Sequence, residues 1–367
     1  MRCSMFALLA ALAAQAGAVP PIVRSPAIAI PAAMTWPTKE ADVVLKDFRF
    51  RSGESLPQLR IHYTTLGSPH RNSAGVIDNA VMVLHGTGGT GQQFLRPQFA
   101  DELYGSGQPL DIRKYWIILP DNIGHGKSSK PSDGLRMKFP KYDYDDMVAA
   151  QHAMLERIGV TKLRLIMGTS MGCMHAFVWG ETYPTFAKAL MPLACEPMEI
   201  AGLNRMWRQL AINGIEADPA WKGGNYAAEP LSGLRAAQNL LFVAGSAPLF
   251  YQSQYPSRAA ASQFAESSVS SALKSLDAND LIYQLDSSRN YNPWPNLEKI
   301  SAPMTWINSA DDFINPRNFP MPRQAVRRMK NAQFRLIPET TDTHGHGTHT
   351  WAKFWKADLI ALLARSG

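Results

Sequence analysis

The pentapeptide at residues 168–172, Gly-Thr-Ser-Met-Gly, constrains this chain more than any other feature. The segment before it, Lys-Leu-Arg-Leu-Ile-Met at 162–167, predicts a short buried strand, and residues 171–183 predict a helix. A G-x-S-x-G motif between a strand and a helix is typical of a sharp turn that exposes a serine hydroxyl. Glycine on each side removes the side chains that would clash in such a turn. Ser170 is therefore the candidate nucleophile, at a helix N-terminus where developing negative charge is favoured.

A serine nucleophile needs a base, and the base needs an orienting carboxylate. The candidate carboxylates follow the apolar run 303–308, which predicts a buried strand. Asp311 and Asp312 stand just past its end, and the turn residue Pro316 comes next. From the residues alone, either aspartate suits the role of orienting acid.

The candidate base lies in a polar loop after a last predicted strand at 333–338. This loop contains His344, His346 and His349. His346 is preferred because it stands between two glycines, which let an imidazole project from a tight turn. His344 and His349 remain alternatives.

A loop for the oxyanion is expected after an earlier strand, predicted at 79–84. The run that follows, residues 85–91, reads His-Gly-Thr-Gly-Gly-Thr-Gly and is similar to an oxyanion-binding loop. The backbone N–H groups of Thr87 and Met171 are the candidate oxyanion hole. A phosphate-binding loop is not expected, because no Gly-Lys-Ser/Thr closes the run at the required spacing.

The composition and charge of the chain limit which kinds of ligand are expected. The chain has 367 residues, 46% hydrophobic and 18% charged, which is typical of a globular protein. Its net charge of +7 is spread along the sequence without a basic and aromatic cluster, so nucleic acid is not an expected partner. The three loop histidines have no accompanying cluster of cysteines or carboxylates, so neither a metal nor a cofactor is expected. We expect a small-molecule ester as substrate, and homodimer formation stays open.

The N-terminus predicts export. Arg2 is followed by an apolar run at 5–14 and a small-x-small cleavage site at 16–18, as in a signal peptide over 1–18. The apolar run is too short for a stop-transfer helix, so stable membrane insertion is not expected, although an uncleaved anchor is the alternative. The mature chain, periplasmic or secreted, would keep Cys173 and Cys195. Whether the two are bonded stays open.

Strand and helix patterns alternate along most of the chain. After a Pro-rich linker at 19–39, this alternation runs through 40–199 and resumes at 298–367. It predicts a mostly parallel, doubly wound sheet. Residues 200–297 show helical patterns without a clear strand, and we interpret them as an inserted helical lid.

The assembled motifs resemble the homoserine O-acetyltransferase-like branch of the α/β-hydrolase superfamily, from about residue 40 to the C-terminus. The resemblance implies an α/β-hydrolase fold with the order Ser, Asp, His along the chain. It also selects Asp312, because Asp-x-x-x-Pro is the usual run in such hydrolases. The resemblance rests on six short segments: Phe139-Pro140, Asp-Asp-Met-Val at 145–148, Gly-Thr-Ser-Met-Gly-Cys-Met at 168–174, two segments of the predicted lid at 218–226 and 233–234, and Leu-Asp-Ala-Asn-Asp-Leu at 276–281.

Two departures from this branch bear on function. Where the acetyltransferases place an arginine and an aspartate that hold homoserine, this chain has Gln238 and Gly347. Losing charge-assisted hydrogen bonds costs roughly 1.5–3 kcal/mol each. We therefore expect an exported serine hydrolase that cleaves a carboxylic ester through a Ser-His-Asp triad and an acyl-enzyme. The alternative is an O-acyltransferase of the homoserine O-acetyltransferase type.

Overall fold

The computed structural model describes residues 35–318 and 320–367. The predicted signal peptide at 1–18 and residues 19–34 of the predicted linker lie outside these residues. Within them, an eight-stranded sheet has the order β1-β2-β4-β3-β5-β6-β7-β8. Its strands are β1 (Lys39–Arg49), β2 (Ser55–Leu66), β3 (Ala80–Leu84), β4 (Trp116–Pro120), β5 (Leu165–Thr169), β6 (Leu190–Leu193), β7 (Met304–Ser309) and β8 (Ala332–Ile337).

The strand directions agree with the predicted fold class. β1 pairs with β2, and β2 with β4, in antiparallel fashion. Every pairing from β4 through β3, β5, β6 and β7 to β8 is parallel. The prediction of a mostly parallel, doubly wound α/β-hydrolase sheet is confirmed.

Helices cover both faces of the sheet, as parallel strands require. Those between or after the strands of the core are α1 (Pro97–Leu103), α2 (Tyr144–Arg157), α3 (Met171–Thr182), α9 (Met321–Arg328) and α10 (Lys356–Arg365). Successive residues of β3 enter different cores, since side chains alternate across a strand. Met82 packs in the same cluster as Phe177 of α3, whereas Val81 and Val83 pack in the cluster of Leu359 of α10.

The segment between β6 and β7 is helical. It contains α4 (Gly202–Glu216), α5 (Leu231–Ala244), α6 (Pro248–Gln254), α7 (Arg258–Leu273) and α8 (Ala278–Asp286). These helices enclose a separate apolar cluster that includes Trp207, Ile215, Leu234 and Leu281. Asp277 caps α8, because its side chain accepts a hydrogen bond from the Asp280 N–H at 2.9 Å.

A disulfide joins Cys173 of α3 to Cys195, which lies just after β6. The Cα atoms are 5.8 Å apart, and both residues are buried in the sheet core. Sequence left the pairing open because two buried thiols and a buried disulfide have the same sequence pattern. The bond ties the helix after Ser170 to the end of the neighbouring strand.

Two negative findings concern the described residues alone. None of their helices has the length and apolarity needed to cross a membrane. Nor do their His, Cys, Asp and Glu side chains form a group that could hold a metal ion.

Candidate active site

Ser170 occupies the turn between β5 and α3 in a strained backbone conformation. Its backbone angles are φ +54° and ψ −111°, a combination that residues other than glycine rarely adopt. The flanking glycines are required by contact rather than by φ. A Cβ on Gly168 would lie 1.9 Å from the carbonyl oxygen of Gly172, and a Cβ on Gly172 would lie 2.1 Å from that of Leu84. This strand-to-helix turn at residues 168–172, the elbow, therefore packs too tightly for alanine at either glycine.

A hydrogen-bonded chain links Ser170, His346 and Asp312. The Nε2 atom of His346 lies 2.8 Å from Ser170 Oγ, and its Nδ1 atom lies 2.8 Å from Asp312 Oδ2. An ionised carboxylate only accepts hydrogen bonds, so Nδ1 carries the proton and Nε2 is free to accept that of the serine hydroxyl. The structure thus brings together the three residues preferred from the sequence.

The surroundings of Asp312 keep it ionised. Burial alone would raise the pKa of this carboxyl, but His346, the Asn315 amide and the Ile314 N–H more than compensate, and the pKa is lowered. The Asn315 Nδ2 atom donates to Asp312 Oδ2 at 2.8 Å, and the Ile314 N–H donates to Oδ1 at 2.8 Å. The carboxylate is thereby fixed in orientation as well as in charge.

The alternative residues of the sequence analysis have other partners. Asp311 accepts a hydrogen bond from the Gly345 N–H at 2.9 Å and so holds the histidine loop in place. The His344 ring stacks on Trp351 with centroids 4.1 Å apart. His349 is partly buried, and the desolvation of its ring lowers its pKa to about 3. Neither of these two imidazoles is hydrogen-bonded to Ser170.

The two candidate oxyanion donors flank Ser170. Met171 is the first residue of α3, where a backbone N–H has no partner within the helix. Thr87 lines the same cavity as Ser170. The loop of Thr87 packs directly on Ser170, since a Cβ on Gly86 would lie 3.2 Å from Ser170 Cβ.

Ser170 and His346 open into a cavity of about 360 Å³ beneath the inserted helices. Much of its lining is apolar, with Trp207, Leu241 and Leu281 among the contributors. Gln238, one of the two departures noted in the sequence, also lines it. The site can therefore hold a small substrate.

Arg208 is a residue of this cavity that the sequence analysis missed. It is fully buried on α4, and its described hydrogen bonds go to neutral groups, Asn204 Oδ1 at 2.9 Å and the Leu285 carbonyl at 3.5 Å. Burial lowers the pKa of its guanidinium, and within residues 35–318 and 320–367 the charged or titratable groups that act on this pKa are Tyr144 and Arg205, not a carboxylate. An arginine normally remains protonated in a protein. The positive charge of Arg208 therefore has no carboxylate partner among the described residues, and its guanidinium lies over the Trp207 ring, 4.7 Å from the ring centroid.

One sequence signal could have indicated Arg208. It stands three, four and seven positions before Ala211, Ile212 and Ile215, which are buried. That spacing marks one face of a helix, so an arginine interrupts an otherwise apolar face. Such a buried cation is rarely retained without an anion to pair with it.

A second buried charge-bearing group lies close to Asp312. Glu196 follows the disulfide residue Cys195, and its Oε1 atom accepts a hydrogen bond from Asn308 Nδ2 at 2.8 Å. Its Oε2 atom is buried without a hydrogen-bond partner among the described residues. Burial, and then the nearby charge of Asp312, raise the pKa of Glu196 to about 8. At neutral pH this carboxyl is therefore protonated.

Comparison with known proteins places this geometry in a family. The family model described as alpha/beta hydrolase fold matches residues 79–340. A "Probable acyltransferase" of Methanothermobacter thermautotrophicus is 31% identical over 57% of this chain and 63% of its own length. A "Homoserine O-acetyltransferase" of Moorella thermoacetica is 36% identical over 52% of this chain and 54% of its own length. The chain thus spans about half to two thirds of these curated relatives.

Among solved structures, esterase E22 superposes with a TM-score of 0.77 at 19% identity, over 89% of this chain and 100% of that one. The superposition establishes a shared fold. At 19% identity it establishes nothing more, because fold alone does not determine activity. The family match covers most of the chain, and it agrees with the sheet order and the strained serine turn. The chain belongs to the alpha/beta hydrolase fold family.

Proposed function

We propose that this protein is an O-acyltransferase that moves an acyl group from an activated donor to the hydroxyl of a small alcohol bearing a carboxylate. The observation that carries the proposal is the buried guanidinium of Arg208, which lines the same cavity as Ser170 without a described carboxylate partner. Burying a charge without a counter-charge is costly. A substrate carboxylate would neutralise it and would be fixed in orientation by a two-pronged hydrogen bond.

In this proposal Ser170, His346 and Asp312 act as a catalytic triad. His346 Nε2 accepts the proton of Ser170 Oγ as that oxygen attacks the donor carbonyl carbon. The carbonyl electron pair moves onto oxygen, where the N–H groups of Thr87 and Met171 stabilise the negative charge. Collapse of the tetrahedral intermediate expels the leaving group, which takes the proton from His346 and leaves an acyl-enzyme on Ser170.

The second half of the reaction repeats these steps with the acceptor. His346 takes the proton of the acceptor hydroxyl, which attacks the acyl-enzyme, and the proton then returns to Ser170. Asp312 holds the imidazole and stabilises its protonated form throughout. Homoserine, the substrate after which several relatives are named, has both the hydroxyl and the carboxylate that this arrangement requires.

Ester hydrolysis is the second candidate, favoured by a different observation. Gln238 lines the cavity with a neutral amide, and Gly347 follows His346 with no side chain. At these positions the resemblance implies two charged contacts to homoserine. Without them, water is the competing acceptor for the acyl-enzyme.

We also propose that the protein is exported. The disulfide between Cys173 and Cys195 supports this, because disulfides persist in oxidising compartments and are rare in the cytosol. Export would separate the enzyme from cytoplasmic acyl-CoA, so the activated donor would be another ester or thioester.

The test supplies purified protein with acetyl-CoA or 4-nitrophenyl acetate as donor, with and without L-homoserine, and follows both donor loss and O-acetylhomoserine by mass spectrometry. We expect homoserine to be acetylated from at least one donor and Ser170→Ala to abolish turnover. Arg208→Met should raise the KM for homoserine about 10- to 100-fold, as expected for a lost charge-assisted hydrogen bond of 1.5–3 kcal/mol.

Arg205→Met is the matched control, because Arg205 lies one turn earlier on α4 and is ion-paired with Asp286 at 3.8 Å. Arg205 is not among the residues that line the cavity, so this variant should leave the KM for homoserine within about twofold of wild type. Donor hydrolysis that is unchanged by homoserine would favour the esterase. Turnover that survives in Ser170→Ala would contradict both candidates.

A further inference from the structure

A buried hydrogen-bond network begins at the oxyanion loop. His85 follows β3 and is fully buried, and its Nδ1 atom lies 2.8 Å from the carbonyl oxygen of Gly86. A carbonyl oxygen only accepts, so Nδ1 carries the proton. The other ring nitrogen, Nε2, must then accept, and it receives the Asn122 N–H at 3.0 Å. Burial lowers the pKa of His85, so the ring is neutral and its tautomer is determined by these partners.

The network continues through two side-chain amides. Asn122 Nδ2 lies 3.1 Å from His85 Nε2, and Asn122 Oδ1 accepts a hydrogen bond from Gln151 Nε2. Gln151 belongs to α2 and is buried. Its Nε2 atom also lies 3.2 Å from His175 Nδ1, and its Oε1 atom accepts from Trp179 Nε1 at 2.7 Å. Gln151 thus uses both of its amide protons and its oxygen.

The far end of the network lies on the nucleophile helix. His175 and Trp179 are residues of α3, which begins directly after Ser170. Burial lowers the pKa of His175 to about 3, so this ring is also neutral. One continuous set of hydrogen bonds therefore connects the oxyanion loop to the helix that presents the nucleophile.

The contact at Gly86 has a consequence for Thr87, because the carbonyl of Gly86 and the N–H of Thr87 belong to one peptide group. A trans peptide is planar, so its C=O and its N–H point in opposite directions. Holding the Gly86 carbonyl therefore determines where the Thr87 N–H points. The Gly89 N–H donates to the same carbonyl at 3.0 Å, so the peptide is held from two sides.

We propose that Asn122 and Gln151 are positioning residues that, through His85, orient the Gly86–Thr87 peptide so that the Thr87 N–H faces the oxyanion formed at Ser170. This proposal rests on the acyl-enzyme chemistry proposed above. It assigns a role in the reaction to two buried amides that do not line the cavity. An N–H displaced by a fraction of an ångström loses much of its effect on the transition state, since such donors act through fixed geometry.

The test compares Gln151→Met with Trp179→Phe. Gln151→Met removes the bonds to Asn122, His175 and Trp179 while keeping a side chain of similar length. Trp179→Phe removes one hydrogen bond from the same glutamine, on the side away from His85, and serves as the matched control. Asn122→Ala is a second variant in case Gln151→Met does not fold, and thermal melts establish folding for each.

The readout is the acylation rate with 4-nitrophenyl acetate and with the corresponding thionoester, whose carbonyl oxygen is replaced by sulfur. Sulfur accepts hydrogen bonds poorly, so the oxyanion donors matter little for the thionoester. We expect Gln151→Met and Asn122→Ala to slow acylation by the oxygen ester about 10- to 100-fold with little change in KM, approaching the 10²–10³ loss of a deleted donor. The thionoester rate should change less than threefold, and Trp179→Phe should leave the ratio of the two rates unchanged.

Two results would overturn the inference. One is an equal loss on both substrates, which would indicate general disorder of the site. The other is the same ratio in Gln151→Met and Trp179→Phe. The proposed function is tested separately by Ser170→Ala, because loss of acylation there together with an unchanged ratio in Gln151→Met would refute only the positioning role.

Discussion

Replacing Glu196 by glutamine is expected to stabilise the protein, and to do so only above about pH 5. The side chain is mostly buried, and one of its oxygens is buried without a described partner. Burial, and then Asp312, raise its pKa from the ordinary 4.5 to about 8. Glutamine has the shape of the protonated carboxyl and keeps an oxygen for the amide of Asn308, but it requires no proton.

The direction of this pH dependence follows from the different number of protons bound by the folded and the unfolded chain. Between pH 4.5 and 8, folded Glu196 binds a proton that the unfolded chain has released, so the stability of the wild type falls as pH rises through that window. A displaced pKa costs about 1.4 kcal/mol for each pH unit, and the roughly 2.5 units between 4.5 and pH 7 correspond to ~3 kcal/mol. The variant should therefore match the wild type at pH 4.5, exceed it by about 3 kcal/mol at pH 7, and gain little more above pH 8.

Urea denaturation at pH 5, 6, 7 and 8, with the disulfide intact, measures this difference in the free energy of unfolding. Glu199→Gln is the control, because Glu199 is exposed and only three residues away. Most substitutions destabilise, so a gain that grows with pH is a specific signature. Equal stability of variant and wild type at pH 7, or the same gain in Glu199→Gln, would show that Glu196 does not bind a proton on folding.

Further expectations concern the elbow, the disulfide and the N-terminus. Gly172→Ala should abolish acylation and lower stability, because its Cβ would lie 2.1 Å from the carbonyl oxygen of Leu84; activity close to wild type would contradict this packing. Cys173→Ser with Cys195→Ser should cost about 3 kcal/mol in urea unfolding, from the entropy of a loop of 22 residues, and a cost below 1 kcal/mol would show that the crosslink contributes little. The intact mass of the native protein should correspond to a chain beginning near Val19, and a mass that includes the first 18 residues would contradict cleavage.

Much of the fold could be predicted because apolar runs and turn residues alternate along the chain. The predicted strand at 162–167 nevertheless began too early, since β5 starts at Leu165. Leu163 forms only an isolated bridge to Ala187, so an apolar residue before a strand is not always part of it. Strand ends depend on the partner strand, which local sequence does not reveal.

The residues of the candidate site were also only partly predictable from the sequence. Ser170 and His346 could be selected because glycines mark the tight turns around them. Arg208 left one weak signal, its place on an otherwise apolar helix face, and Glu196 left none, because the importance of both depends on which groups surround them after packing. An arginine on an apolar helix face and a glutamate after a strand are ambiguous until the cavity is known.

The helices α4 to α8, inserted between β6 and β7, contribute different residues to the cavity from those that the loops of the sheet contribute. β6 and β7 pair directly, so the inserted segment leaves and re-enters the sheet at neighbouring strands. Its length and sequence can change in evolution without altering strand order. Arg208 and Gln238 lie within it, whereas Ser170, Asp312 and His346 lie on loops of the sheet. Under the proposed function, the residues that would select the acceptor can therefore vary independently of those that would act on the acyl group.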